Sequence, residues 1–488
     1  MSQLLIILAF VALRLTPHPG PPPWPSLRPH PVTSAALLLA PLALLVAVAA
    51  ASTHAAMRGL ERRGDPRGMP AAEAISRAAE TAAGVWFVAS VAGLGWASVV
   101  RGLIGDPVLL DELVAIAPLL AALFFIALAG HPLERRRADA RLVRALDRGE
   151  PIHATPDPWV FAWRRLRHGP LTVAVPLALI FAVSEAVEFA ALQLGQDRDA
   201  WLVRSGVLGF AVPLAQLGGA VLVLALAPAA LRVLWDTVRV PAGDLRRRLD
   251  ALAERHGVRV AEYLIWRTGG TMVNAAVAGL LAPLRFIVIS DALLERLSPR
   301  EVEAVAAHEV GHVRLAHMPW LAASVLGSVT LAGGALGLGL RLIAPDAADA
   351  PAAQGVLFGL VAAAALTGLG HASRRFERQA DAFAVKHLSG AGRDRPAVII
   401  DHDAAETMAD ALARVARFNH APIGRFTWRH GSIAERIDAV RSAVGHRADR
   451  LPIDRAAGRV KRIALAATAT GLALTAIDEW LRVAAQQG

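Results

Sequence analysis

The sequence predicts a mainly α-helical protein that crosses a membrane several times and carries a metal-binding domain with a small β-sheet. Three observations lead there. Long uncharged stretches recur along the 488 residues, 55% of which are hydrophobic, and mean hydropathy is +0.44. A His-Glu-x-x-His pentad occupies 308–312. Just upstream, Phe286-Ile287-Val288-Ile289 is a short, fully apolar run of strand character.

Taken in order, the opening run 4–13 is too short to span. Met1-Ser2-Gln3 lacks the positive charge of a signal peptide, so this run reads as an incomplete first helix. The Pro-rich segment 16–31 reads as an extended linker. Stretches 32–52, 81–100, 113–130, 205–231, 319–340 and 352–370 are long enough, or nearly so, to cross about 30 Å of hydrocarbon as helix. Pro41 is a kink site in the first of them. The stretch 170–195 qualifies if Glu185 and Glu188 are accommodated. Three residues apart on one helix face, they either line a wet chamber or sit at a headgroup boundary. Asp111 and Glu112, at the edge of a span, read as interfacial. This divides the chain into an N-terminal membrane region (1–235), a domain over 236–460 interrupted by a membrane hairpin at 319–370, and a C-terminal hydrophobic helix (461–488), whose apolar run 463–477 is marginal as a span.

Net charge is +10 and the isoelectric point about 11.2. Only Lys386 and Lys461 are lysines, an arginine bias that reads as a GC-rich bacterial genome. The arginines gather in 53–80 and 130–169, between spans, and the positive-inside rule puts both loops in the cytoplasm. No aromatic residues interleave with these charges in a nucleic-acid-binding pattern, so no nucleic-acid partner is expected. Two crossings, 170–195 and 205–231, return the chain to the cytoplasm before the pentad. Two more, 319–340 and 352–370, bring the following segment back to the same face. Between them, 344–351 holds two acidic residues and no basic one, although Arg341 at its edge runs against the rule. The absence of cysteine excludes only a disulfide scaffold.

His308-Glu309-Val310-Gly311-His312 needs a helix to be useful, because residues four apart then stack on one face and both imidazoles can grip one Zn²⁺. Ser298-Pro299-Arg300-Glu301 supplies a capping box with Pro at the first helical position. Glu309 follows the first ligand and can act on water at an open metal position. Two solvated or core histidines are the competing reading. His317 fails as a third ligand on register, since the metzincin pattern needs Gly at 315 and His at 318, where Leu315 and Met318 stand. His317 is expected as a polar residue at the membrane surface. The best third ligand is Glu377, on a segment whose Phe376, Ala380 and Phe383 form an apolar stripe. Asp381, one turn on, can accept a hydrogen bond from a ligand imidazole and fix its tautomer. An ordinary charged helix face is the alternative for an isolated ExxxD.

From about 246 to 436 the sequence resembles the M48 family of integral-membrane zinc metallopeptidases, the HtpX and Ste24 (CaaX prenyl protease) type. The matching features occur in the family's order: Asn274-Ala275 and Gly279, Arg285 to Ser290, Leu297-Ser298-Pro299 with Glu301 and Glu303, the pentad, a hydrophobic hairpin, Ser373-Arg374 with Glu377 and Asp381, then His430 and Arg436-Ile437. One departure is Gly431, where the family usually has Pro. The resemblance implies a gluzincin-like zinc peptidase domain, with one Zn²⁺ per chain on His308, His312 and Glu377, and Glu309 as general base. It places Asn274 and Ala275 on a substrate-binding edge. His430 is implied as an oxyanion partner, and Arg436 pairs with a nearby carboxylate or contacts substrate. A surface helix start capped by Ser432 competes for those last two. The expected function is a membrane-embedded zinc endopeptidase of the cell (plasma or inner) membrane. It would cut membrane-associated or misfolded polypeptides at the cytoplasmic face. The alternative is an inactive membrane scaffold or channel-like protein with a relic pentad. Residues 1–235 carry no named resemblance.

Overall fold

The computed structural model describes residues 2–15, 30–105, 107–148, 153, 155–196, 207–348 and 350–487. The chain forms two units, Met1–Asp236 and Thr237–Gly488. Among the described residues seven helices are long and apolar enough to cross a membrane, eight if one bent pair counts as a span. The protein is a multi-pass membrane protein. The linker expected at 16–31 lies outside the described residues except for its last two positions.

Among its described residues the first unit has only helices as regular elements: α1 (Ser2–Leu15), α2 (Pro31–Arg63), α3 (Gly68–Gly93), α4 (Trp96–Ile104), α5 (Leu110–Arg148), α6 (Pro158–His168), α7 (Pro170–Gln196) and α8 (Val207–Leu234). α2 starts on Pro31 and stops where Gly64 turns left-handed at φ 63°. Phe10, Leu38, Phe87, Ile116 and Leu119 fill the core. The span expected at 81–100 is bent. α3 ends at Gly93, Gly95 takes φ 66°, and α4 leaves at 69°. That bend turns Arg101 onto the first turn of α5, where its guanidinium donates to Asp111 at 2.6 Å and to Glu112 at 3.1 Å. Asp111 and Glu112, expected as interfacial residues at a span edge, are buried ion-pair partners. Glu185 and Glu188 are also paired, with Arg14 at 3.1 and 2.6 Å. Much of the expected arginine-rich loop at 130–169 is helix: α5 continues to Arg148 on good helix formers, pinned where Arg137 donates twice to Glu73.

In the second unit a four-stranded sheet, ordered β1-β2-β4-β3, combines β1 (Thr237–Arg239), β2 (Glu262–Trp266), β3 (Ala275–Ala278) and β4 (Phe286–Ser290). β4 is buried along its whole length and runs parallel to β2 and antiparallel to β3. The strand expected at 286–289 is present as β4, and β1, β2 and β3 add to it. Around the sheet lie α9 (Asp244–His256), α10 (Asp291–Arg296), α11 (Pro299–Arg314), α14 (His402–Phe418) and α15 (Ile433–Arg441). Leu249, Leu252, Ile287, Ile289, Ala307, Val310 and Met408 make up much of their core.

Three long helices complete the unit: α12 (His317–Ile343), α13 (Pro351–Leu388) and α16 (Pro452–Gln487). α12 and α16 pack backbone to backbone. A Cβ added at Gly327 would lie 2.6 Å from the Ala464 carbonyl oxygen, and one at Gly334 the same distance from that of Gly471. Small residues allow such approach between helices that gain little from apolar burial in lipid. Arg341, the residue that ran against the charge rule, is neutralised by Asp478 of α16 at 2.6 Å.

Candidate metal centre

α11 begins as its sequence dictates. Ser298 Oγ accepts the Glu301 N–H at 3.3 Å, and Glu301 returns its carboxylate to the Ser298 N–H at 2.7 Å. The helix then runs unbroken through the pentad, and Gly311 leaves room for α13: a Cβ there would meet the Phe383 ring at 3.0 Å. That contact draws α13 against α11 and carries Glu377 to the two imidazoles.

His308 Nε2 and His312 Nε2 lie 3.2 Å apart. Glu377 oxygens lie 3.7 Å from the first and 3.9 Å from the second, and the three ligand atoms fall within 4.8 Å of one another. The tautomers follow from the neighbours. His308 Nδ1 lies 2.9 Å from an Asp381 carboxylate oxygen, which favours its proton on that nitrogen. Gln379 Nε2 donates to Asp454 at 2.9 Å, which turns its oxygen toward His317 Nε2 at 3.1 Å. His317 therefore donates through Nε2, and its Nδ1 accepts from His312 Nδ1 at 2.9 Å. Both ligand rings are left presenting an Nε2 lone pair to the same point. Two such lone pairs with a carboxylate form an acceptor-only cluster, and the N, N, O set fits Zn²⁺.

His317 is not the surface residue the sequence suggested. It is fully buried and stacked on Phe376, with ring centroids 4.6 Å apart and planes 7° off parallel. α11 and α12 are separated by Ala316 in the left-handed region, φ 55°, and this reversal folds His317 back under His312. Of the two roles expected for Arg436, its contacts are those of carboxylate pairing. It is buried, donates to both Asp381 oxygens at 2.7 and 2.6 Å, and lies 3.2 Å from Glu377. Its charge faces the ligand set and holds Asp381 against His308.

Electrostatics separate the groups. Burial works against charge on His308, but Asp381 and then Glu377 outweigh it and raise its proton affinity. Burial and the adjacent His308 push His312 down to about 3. Burial pushes Glu309 up to about 7, with His308 opposing and Glu377 adding.

Beside the centre, β3 is an edge strand. Glu309 accepts the Val277 N–H at 3.1 Å, and Ser290 N–H pairs with the Asn274 carbonyl at 2.9 Å. Alternation along the strand therefore puts the peptide groups of Ala275 and Val277 on the open edge. Asn274 is exposed at its start. Asn419 grips the adjoining Val273, accepting its N–H at 3.1 Å and donating to its carbonyl at 2.7 Å. His430 lies half-exposed with Nδ1 3.1 Å from a Glu377 oxygen. It sits in a turn closed by Thr427 and Gly431, and Gly431 has φ 74°, a conformation closed to Pro. Ser432 also caps α15, so the helix start and a His430 beside the ligand coexist.

Sequence reasoning weighed His317 only as a metal ligand or a surface residue and missed Gln379, Asn419 and Asp454, none of which stands in a pattern that marks it.

The sequence model of peptidase family M48 matches residues 240–444. Those residues belong to peptidase family M48. A CAAX prenyl protease 1 homolog of Arabidopsis thaliana is 30% identical to this protein over 205 residues, which is 38% of this chain and 46% of that one. The chain thus matches about half the length of this curated relative. Among solved structures, that of S. mikatae Ste24p covers 83% of this chain and 98% of its own at 14% identity, with a TM-score of 0.38.

Proposed function

We propose that the protein is a membrane-embedded zinc endopeptidase that cuts membrane-associated or misfolded polypeptides at the cytoplasmic face of the cell membrane. The observation that carries this reading is the convergence of His308, His312 and Glu377, with Glu309 bound to the edge strand beside them. His308, His312 and Glu377 would hold one Zn²⁺, which when bound polarises a scissile carbonyl and makes water more acidic. The substrate backbone adds to β3 at Ala275 and Val277, so the main chain is fixed and side-chain sequence is little read. Glu309 takes the proton from the attacking water and delivers it to the departing amine. His430, on the solvent side of Glu377, is the residue proposed to donate to the developing oxyanion. Asp381 and Arg436 hold His308, and His317 holds His312. The arginines closing α2 and lining the end of α5 support a cytoplasmic orientation by the positive-inside rule.

Glu309→Gln tests the reading on detergent-solubilised full-length protein and an unfolded membrane substrate. It is expected to keep about one zinc per chain and to lose proteolysis by roughly 10²- to 10⁴-fold. Undiminished cleavage would remove Glu309 from its role. Failure of the unmodified protein to take up zinc would favour the inactive scaffold with a relic pentad.

A further inference from the structure

On the second unit, where α11 ends just beyond the pentad, a cleft of about 290 Å³ opens between Gly257, Ala282 and Val313, and Arg259, Arg285 and Arg314 line it. Among the described residues none of the three arginines has a carboxylate partner. Arg285 is fixed: it donates to the carbonyls of Gly279 at 3.3 Å, Arg259 at 3.0 Å and Leu280 at 2.5 Å. Three of its five N–H groups are used on backbone, and two remain for a ligand. Burial, and then the charge of Arg259, pull the Arg285 guanidinium below its ordinary value, as expected for crowded cations without a counter-ion.

Position indicates what that counter-ion is. Arg314 ends α11, three residues before α12 begins its membrane run. At the same level Lys461 of α16 donates to the Leu315 carbonyl at 2.9 Å and lies 5.4 Å from the Trp320 ring centre, the Lys and Trp pairing typical of a headgroup layer. Ala282 and Val313 share the cleft, so the turn between β3 and β4 sits at this end of α11. That turn exposes Leu280 and Leu281, 46% and 52% accessible. Two apolar side chains beside three uncompensated guanidiniums match one ligand chemistry, an anionic phosphodiester with acyl chains attached.

We propose that Arg259, Arg285 and Arg314 form a binding site for the headgroup of an anionic phospholipid, with Leu280 and Leu281 entering the lipid beside it. The inference does not depend on the peptidase reading, and its readout needs no proteolysis. The thermal midpoint of the detergent-purified full chain is measured against rising phosphatidylglycerol, phosphatidylcholine or inorganic phosphate. Arg285 holds the turn, so the variant is Arg259→Gln with Arg314→Gln, two exposed side chains whose loss leaves the core intact. Phosphatidylglycerol is expected to raise the midpoint well beyond phosphatidylcholine. The double variant should need roughly thirtyfold more of it for the same shift, about tenfold for each 1.4 kcal/mol with each arginine near a membrane surface contributing about 1 kcal/mol. Equal responses to the two lipids, or an unchanged response in the variant, overturn the proposal. A full response to inorganic phosphate alone overturns the lipid assignment in favour of a free-anion site.

Discussion

Replacing His317 by Phe isolates what the buried histidine does for the metal centre. Phe keeps a ring of similar size stacked on Phe376 and removes both nitrogens, so packing is retained while the bonds to His312 and Gln379 go. His312 Nδ1–H then loses its acceptor in a buried position, which costs about 1–3 kcal/mol. The other tautomer, with the proton on Nε2, becomes competitive, and it offers no lone pair to a metal. Zinc affinity is therefore expected to fall by about 10- to 100-fold. The measurement is chelator competition on the solubilised protein, with the thermal midpoint followed in parallel. Gln379→Leu should show a smaller loss, and the double variant should be no worse than His317→Phe, because both act through one chain of hydrogen bonds. Wild-type zinc affinity in His317→Phe would show that His312 does not rely on His317 for its tautomer.

Two more predictions follow from the geometry. Glu309 must be ionised to act and burial raises it to about 7, so kcat/KM should be lost as pH falls; a bound dication favours the carboxylate and sets the acid limb below 7. A profile flat down to pH 5 would argue against Glu309 as the base. Gly327→Val should destabilise the second unit by about 1–3 kcal/mol, because its Cβ would press on the Ala464 carbonyl, whereas Gly339→Ala, with open space around it, should leave the thermal midpoint in detergent unchanged.

What the sequence revealed is what local chemistry specifies. The capping box at Ser298 depends on residues three apart, and the run 286–289 of β4 is apolar at every position, so both were readable without a partner. Glu377 was readable because its helix face was marked by Phe376, Ala380 and Phe383, all buried. What escaped depended on reversals of the chain. β2 shows only as five mixed residues, and it becomes a strand by pairing in parallel with β4. Asp111 and Glu112 looked interfacial because a charge at the end of an apolar run usually is. Only the 69° bend at Gly95 brings Arg101 to them. His317 was misjudged for the same reason: one left-handed residue, Ala316, turns an apparent surface histidine into the support of a ligand.

One of the helices long and apolar enough to cross a membrane, α13, also carries Glu377, and α12 follows directly on the pentad helix. The apolar stretch of α13 ends at Gly370, and Glu377 follows seven residues later on the same unbroken helix. At 1.5 Å per residue that is about 10 Å. The pentad reaches the membrane from the other side of the centre, with α12 starting five residues after His312. Packing of α12 on α16 through Gly327 and Gly334 is therefore not separable from the chemistry. A slip of one helical turn along that interface would move the α12 end of the His312 support by about 5.4 Å, more than the span of the ligand cluster itself. Holding the three candidate ligand atoms within 4.8 Å thus depends on the register of α12 on α16, which the close glycine contacts define where hydrophobic burial cannot.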